Sequence, residues 1–256
     1  IHCRCRVKIS IDFLASLGRE TSGGSVLPFV PEVMPDLKTR EELTKFAREN
    51  VARDVFLPKK GNLSGMQDAI RASHDVGQRF DLPKGRFFGD PKSIVGELGS
   101  KYRTSLKTAY QAYSMGLDDH IFNAKGLSPS ILKRAHDTSF KKQAAARVTE
   151  SSLEVQERFE RITGDFKWSV SNDVRGVTVH ENGHRLHSTH RVAVDKLMSD
   201  ETIFSEGWQN LVSEYAGTDN FEYFAEAFTI YMERPTEHFR IHPEILKFFI
   251  EKDLST

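Results

Sequence analysis

Cysteine is nearly missing from this sequence: 256 residues contain two, Cys3 and Cys5, separated by a single residue. A bridge that short would be strained, so no structural disulfide is expected and the pair reads as ordinary thiols of a reducing compartment. A metal clip built from His2, Cys3 and Cys5 would need further ligands from outside the chain. Net charge is missing too. Thirty-six basic and 36 acidic side chains cancel, which removes bulk charge as a route to nucleic acid or to an anionic membrane surface. No apolar run is long enough to suggest a membrane span. The start, "IHCRCRVKIS", lacks both Met and the apolar core of a signal peptide. The expectation is a fragment or processed product of a longer chain, with any targeting signal on the missing part.

What remains is the composition of a globular protein, 38% apolar and 28% charged, with 18 Phe to compensate for a slightly thin stock of core residues. Residues 1–35 carry Gly23-Gly24, Pro28, Pro31 and Pro35 and read as a tail and linker. From residue 36 the pattern changes. Thr39 with Glu42 three residues on is a capping box that opens an amphipathic helix. "ARDVFLP" (52–58) reads as a strand stopped by Pro58. Leu63, Met66, Ile70 and Val76 have helical spacing within 62–80. Strands are expected at 85–89, at 106–114 and within 118–126. Residues 128–163 read as helical, with Leu153, Val155 and Phe159 inward, and 165–173 as loop or strand. Only helical patterns follow. No internal repeat is apparent. The order predicts an α+β fold, with its chemistry where the layers meet.

Four of the ten histidines fall within "HENGHRLHSTH" (180–190). His180-Glu181-Asn182-Gly183-His184 is an H-E-x-x-H motif. On a helix, capped by Asn172 or Asp173, residues four apart lie one turn along the same face, so both imidazoles reach one zinc ion and Glu181 sits beside its water as general base. A catalytic zinc needs a third protein ligand and one open position. His190 occupies the place of the last ligand in H-E-x-x-H-x-x-G-x-x-H, but His187 stands where that pattern has the glycine that turns the chain. On an unbroken helix His190 would lie roughly 240° around the axis from His184, and His187 about 10 Å along it from His180. Both are expected to be exposed polar residues at the helix end. His74, His136, His238 and His242 have no partners in sequence and read as surface residues.

The alternative third ligand lies in "NFEYFAEAFTIYM" (220–232). Phe221, Phe224, Ala225, Phe228 and Tyr231 form an apolar stripe, Asp219 or Asn220 caps the start, and Glu222 and Glu226 share one face next to the stripe. Carboxylates in so aromatic a helix are costly to bury unless a cation or hydrogen bonds meet them. Zinc with its histidines would supply that partner, and the set of ligands would be His, His and Glu.

"SEYAGTDNFEYFAEAF" resembles the ligand helix of the anthrax lethal factor type of zincin metallopeptidase, a gluzincin, in which a glutamate directly precedes two aromatics and A-E-A-F. The likeness covers about 173–250. It implies that Glu222 is the third zinc ligand beside His180 and His184, and that Glu181 is the base. It also implies that Tyr215, seven residues before Glu222, donates a hydrogen bond to the developing oxyanion. Glu226 would orient a ligand imidazole. Asn182 departs from the bulky residue usual at its place, a change expected to be tolerated. The implied architecture is a small mixed sheet packed on the active-site helix, followed by a mainly helical C-terminal subdomain, over residues 36–256. An edge strand of that sheet would pair with an extended substrate. "HIFNAK" (120–125), with Ile121, Phe122 and Asn123, is the candidate.

"IHCRCRV" is similar to the H-x-x-C-R-C ending of phage Mu F-type head morphogenesis (minor head) proteins, although His2 here abuts Cys3. That likeness implies a phage or prophage polypeptide, virion-associated or in the host cytoplasm, and an enzyme domain beginning near residue 36. The leading expectation is a zinc endopeptidase with one Zn2+ per chain, acting on a protein or peptide substrate such as a phage capsid or portal protein, or as a toxin. Neither nucleic acid nor membrane is an expected partner. The competing expectations are a virion structural protein whose zinc only stabilises the fold, and an interaction module with no metal.

Overall fold

The structure is a computed structural model that describes residues 32–57, 59, 62–89, 114–115, 119–121, 169–171, 173–204 and 206–254. The expected helical stretch 128–163, with Leu153, Val155 and Phe159, and also His136, lies outside them, as do Phe122, Asn123, the thiols Cys3 and Cys5, and the tail to residue 31.

The described chain is α+β. Helix α1 (Arg40–Asn50) starts at the expected capping box: Thr39 accepts from the Glu42 amide, and Glu42 reaches back to the Thr39 backbone. Strand β1 (Ala52–Phe56) follows, with Ala52 and Val55 buried and Arg53 and Asp54 exposed. Asn62 caps α2 (Leu63–Arg79), which leads to β2 (Gly85–Gly89). The short strands β3 (Ser114–Met115) and β4 (Asp119–Ile121) complete a mixed sheet in the order β1-β2-β4-β3. The β1–β2 and β2–β4 pairs are parallel, and β3 runs antiparallel to β4.

This order corrects one expectation. Ile121 pairs with Gly89 on one side and Ser114 on the other, so β4 is an inner strand whose backbone is already paired. Among the described residues, the edge strand that lies against the histidine helix is β3.

The C-terminal part is helical throughout: α3 (Val174–Thr189), α4 (Arg191–Met198), α5 (Glu206–Val212), a 3-10 turn at Tyr215–Gly217, α6 (Asn220–Glu233), a 3-10 segment at Pro235–Arg240 and α7 (Pro243–Lys252). Local chemistry starts these helices. Asp173 accepts from the Gly176 amide, Asp219 from the amides of Phe221 and Glu222, and the His242 ring from the Glu244 amide beside Pro243.

Helix α2 joins two cores. Met66, Ala69 and Ile70 pack with Met34, Leu43, Val55 and Phe88 on the sheet side. Ala72, Val76 and Phe80 pack with α3, α6 and α7 on the other. Met34 already belongs to the first core, two residues before the boundary expected from composition. In the second core Phe80, Phe224, Phe228 and Phe249 meet edge to face at 5.0–5.3 Å, each such pair adding about 0.5–1.5 kcal/mol beyond its buried area. The expected aromatic stripe of α6 is buried from Phe224 to Tyr231, but Phe221 is 53% exposed, because it projects from the first turn, past the edge of the core.

Helix α3 lies between α2 and α6, and its approach to α6 is set by Gly183. A Cβ built there would stand 2.9 Å from the Ala225 Cα and 3.2 Å from the Phe228 ring. Only glycine lets the two backbones come that close. Gly183→Ala is expected to force the helices apart and to cost about 1–3 kcal/mol through overpacking, despite alanine's better helix propensity. Denaturant unfolding measures this, and unchanged stability would show that the contact can relax.

Candidate metal centre

The close α3–α6 packing brings the two charged motifs together. His180 and His184 point from α3 towards Glu222 on α6. The ligand atoms of these three residues lie within 4.8 Å of one another, a group that can hold a metal ion. Glu222 Oε2 is 3.0 Å from His180 Nε2 and 3.5 Å from His184 Nε2. In a tetrahedral site with ligands at roughly 2.0–2.1 Å, neighbouring donors stand about 3.3 Å apart. The donor set is two imidazole nitrogens and one carboxylate, so both chemistry and spacing fit a divalent transition metal.

The same imidazole is held from behind. His180 Nδ1 donates to Glu226 Oε1 at 2.8 Å, which leaves Nε2 facing Glu222. This is the arrangement in which a carboxylate fixes the ring of a ligand histidine. Glu226 is 1% exposed, and three further donors satisfy it: Val170 N (2.7 Å) and Ser213 Oγ (2.7 Å) at Oε2, and Ser169 Oγ (3.2 Å) at Oε1. Burial alone would raise its pKa, but the His180 hydrogen bond and charge, with those of Ser213 and Val170, hold it below the usual carboxylate range. Arg234 holds the Val170 carbonyl from the other side, which pins residues 169–171 ahead of α3.

Burial would push the His180 imidazole down, yet the hydrogen bonds to Glu222 and Glu226 win, and its pKa is pushed up to about 10. Burial likewise opposes ionisation of Glu222, but the hydrogen bonds from His180 and His184 hold it far below the usual range. In the metal-free protein a protonated His180 thus bridges two carboxylates. Because the folded value lies above the unfolded one, this contribution to stability is full below about pH 6.5 and fades as pH rises through 10. A metal must displace that proton. Metal uptake near pH 7.5 is therefore expected to release about one proton from His180, and affinity should rise about tenfold per pH unit between 7 and 9. Calorimetry in buffers of differing ionisation enthalpy counts the proton, and a release of zero would contradict the assignment.

Two more side chains lie near the group. Glu181, half-buried on α3, is near enough for its charge to act on both His180 and the Tyr215 phenol. The Tyr215 ring stacks on His180 at 5.8 Å and 28°. Burial first, then the charge of Glu222 and a hydrogen bond to it, keep the Tyr215 phenol protonated well above its ordinary range. It remains a neutral donor at any ordinary pH.

Among the described residues, no other histidine joins this group. His190 is the C-cap of α3, edge-on to Phe248. His187 is not the exposed residue that its place at the helix end suggests. It is 4% exposed, stacked on Phe221 at 4.9 Å, with Nε2 2.7 Å from Asp195 Oδ1, because α6 covers that face of α3. His74 is also buried rather than superficial, against Phe46 and the Glu32 carbonyl. His238 stacks on Tyr231.

Sequence reading missed Ser213, Ser169 and Val170, and took Asn182 only as a tolerated departure. Asn182, fully buried, donates to Ser73 Oγ (3.3 Å) on α2 and accepts from Arg185 Nη1 (3.0 Å), while Arg185 Nη2 donates to the Pro83 carbonyl (2.7 Å). A polar link thus joins this position to α2. Its only sequence signal is the polar residue inside the motif. No protein-family model matches this chain, and neither a curated protein nor a solved structure matches it.

Proposed function

We propose that the chain is a zinc-dependent endopeptidase of the zincin type, with zinc held by His180, His184 and Glu222. The observation that carries this is the convergence of those three donors from two helices, with a neutral phenol (Tyr215) stacked on His180 and a carboxylate (Glu181) near enough for its charge to act on both. A metal-binding group that served the fold alone would need neither. The choice of zinc follows from the two imidazoles and one carboxylate, a set that leaves one of four positions open.

Zinc in this site would acidify a water towards pH 7 and polarise the scissile carbonyl. The remaining steps belong to the chain. Glu181 takes the proton of the water as its oxygen attacks the carbonyl carbon, and delivers it to the leaving nitrogen as the C–N bond breaks. The Tyr215 phenol donates to the oxygen on which negative charge develops. Glu226 holds His180 Nδ1–H, so the ring cannot turn or change tautomer. Among the described residues, strand β3, antiparallel to β4 and lying against α3, is the edge that would pair with an extended substrate. The phage minor-head origin rests on "IHCRCRV" alone, and capsid or portal proteins are the first substrates to try. Cleavage of an unfolded protein, followed by mass spectrometry, tests the reading. Chelator-sensitive cuts restored by zinc support it, and intact substrate with a fully zinc-loaded chain would overturn it.

A further inference from the structure

The turn between α5 and α6 carries Tyr215, and two buried residues outside the metal group hold it. Arg240, 3% exposed, donates through Nε to the Leu211 carbonyl (2.7 Å) and through Nη2 to the Val212 carbonyl (2.6 Å), closing the end of α5. Ser213 comes next and is fully buried. Its hydroxyl donates to Glu226 Oε2 (2.7 Å) and accepts from the Ala216 amide (3.0 Å), one residue past Tyr215. The other oxygen of that carboxylate accepts from His180 Nδ1 (2.8 Å). One chain of hydrogen bonds thus runs from the His180 imidazole through Glu226 and Ser213 to the Tyr215 turn. The Tyr215 ring closes the circuit by stacking on His180.

We propose that Ser213 is a positioning residue that couples the Tyr215 turn to the Glu226–His180 pair, so that one buried carboxylate sets both the ligand imidazole and the phenol. A hydroxyl is suited to this place, because it donates and accepts at once. Alanine would leave the Ala216 amide and one lone pair of Glu226 unpaired where water does not reach. The turn would shift to satisfy them and carry the phenol with it. Displacement of a catalytic group by about 1 Å can cost roughly 100-fold in rate. What Tyr215 does rests on the peptidase reading above, but the coupling does not.

The test uses the full chain in two measurements. In the metal-free protein, Ser213→Ala should lower hydrogen-exchange protection across 213–219 by about tenfold or more and leave 174–189 unchanged. In the zinc-loaded protein it should lower kcat by about 10–100-fold, with KM and zinc content retained. In a Tyr215→Phe background the same change should cost less than about twofold, because its effect passes through the phenol. Equal loss of protection in both segments, unchanged protection, or additive effects of the two substitutions would overturn the coupling. If the zinc-loaded wild type cuts nothing, the peptidase reading falls, and the exchange comparison still decides the role of Ser213.

Discussion

Replacing Glu222 with alanine is expected to lower zinc affinity by more than about 100-fold, beyond the 10–100-fold typical of partners that only orient a ligand. Glu222 supplies the single negative charge among the three donors, and its Oε2 stands within 3.5 Å of both imidazole nitrogens. Two neutral imidazoles on one helix would be left as an incomplete site. The fold should tolerate the change. Helix α6 is started by the Asp219 side chain on the backbone amides of Phe221 and Glu222, and alanine keeps both. His180 also retains Glu226. A competitive chelator titration measures the affinity, with circular dichroism confirming the helices. Binding within threefold of wild type would remove Glu222 from the metal group.

Glu181→Gln should separate binding from chemistry. The amide has the size of the carboxylate but cannot take a proton, so kcat is expected to fall by about 10²–10⁴-fold, the range for a positioned general base. Zinc binding should be kept, because Glu181 stands outside the group formed by His180, His184 and Glu222. Turnover of the best peptide from the cleavage screen gives the number. A variant that retains more than a tenth of wild-type kcat would mean that another group moves the proton.

Much of this was legible in the sequence wherever the determinant is local. The Thr39–Glu42 box and the caps of α3 and α6 act within a single turn. The sequence narrowed those two caps to Asn172 or Asp173 and to Asp219 or Asn220, and the helices start at Asp173 and Asp219. His180 and His184 share a face by helix geometry alone. Which glutamate meets them was legible only through resemblance. The structure separates the two carboxylates by the ring nitrogen each approaches, Glu222 at Nε2 and Glu226 at Nδ1 of the same imidazole.

The misreadings share a physical reason. Burial of His187 and exposure of Phe221 depend on which helix covers which face, and spacing along one helix does not specify that. Strand order is likewise a property of the assembled sheet, so "HIFNAK" read as an edge although Ile121 is paired on both sides. Ser213 and Val170 carry no motif, because their partner is a carboxylate 13 and 56 residues away.

Metal stoichiometry tests the central claim most directly. The purified chain, equilibrated with zinc and freed of excess, is analysed for zinc per protein alongside His180→Ala. One zinc per wild-type chain and almost none in the variant is the predicted result. A wild-type chain that holds no zinc, or a variant that holds as much as wild type, would contradict it.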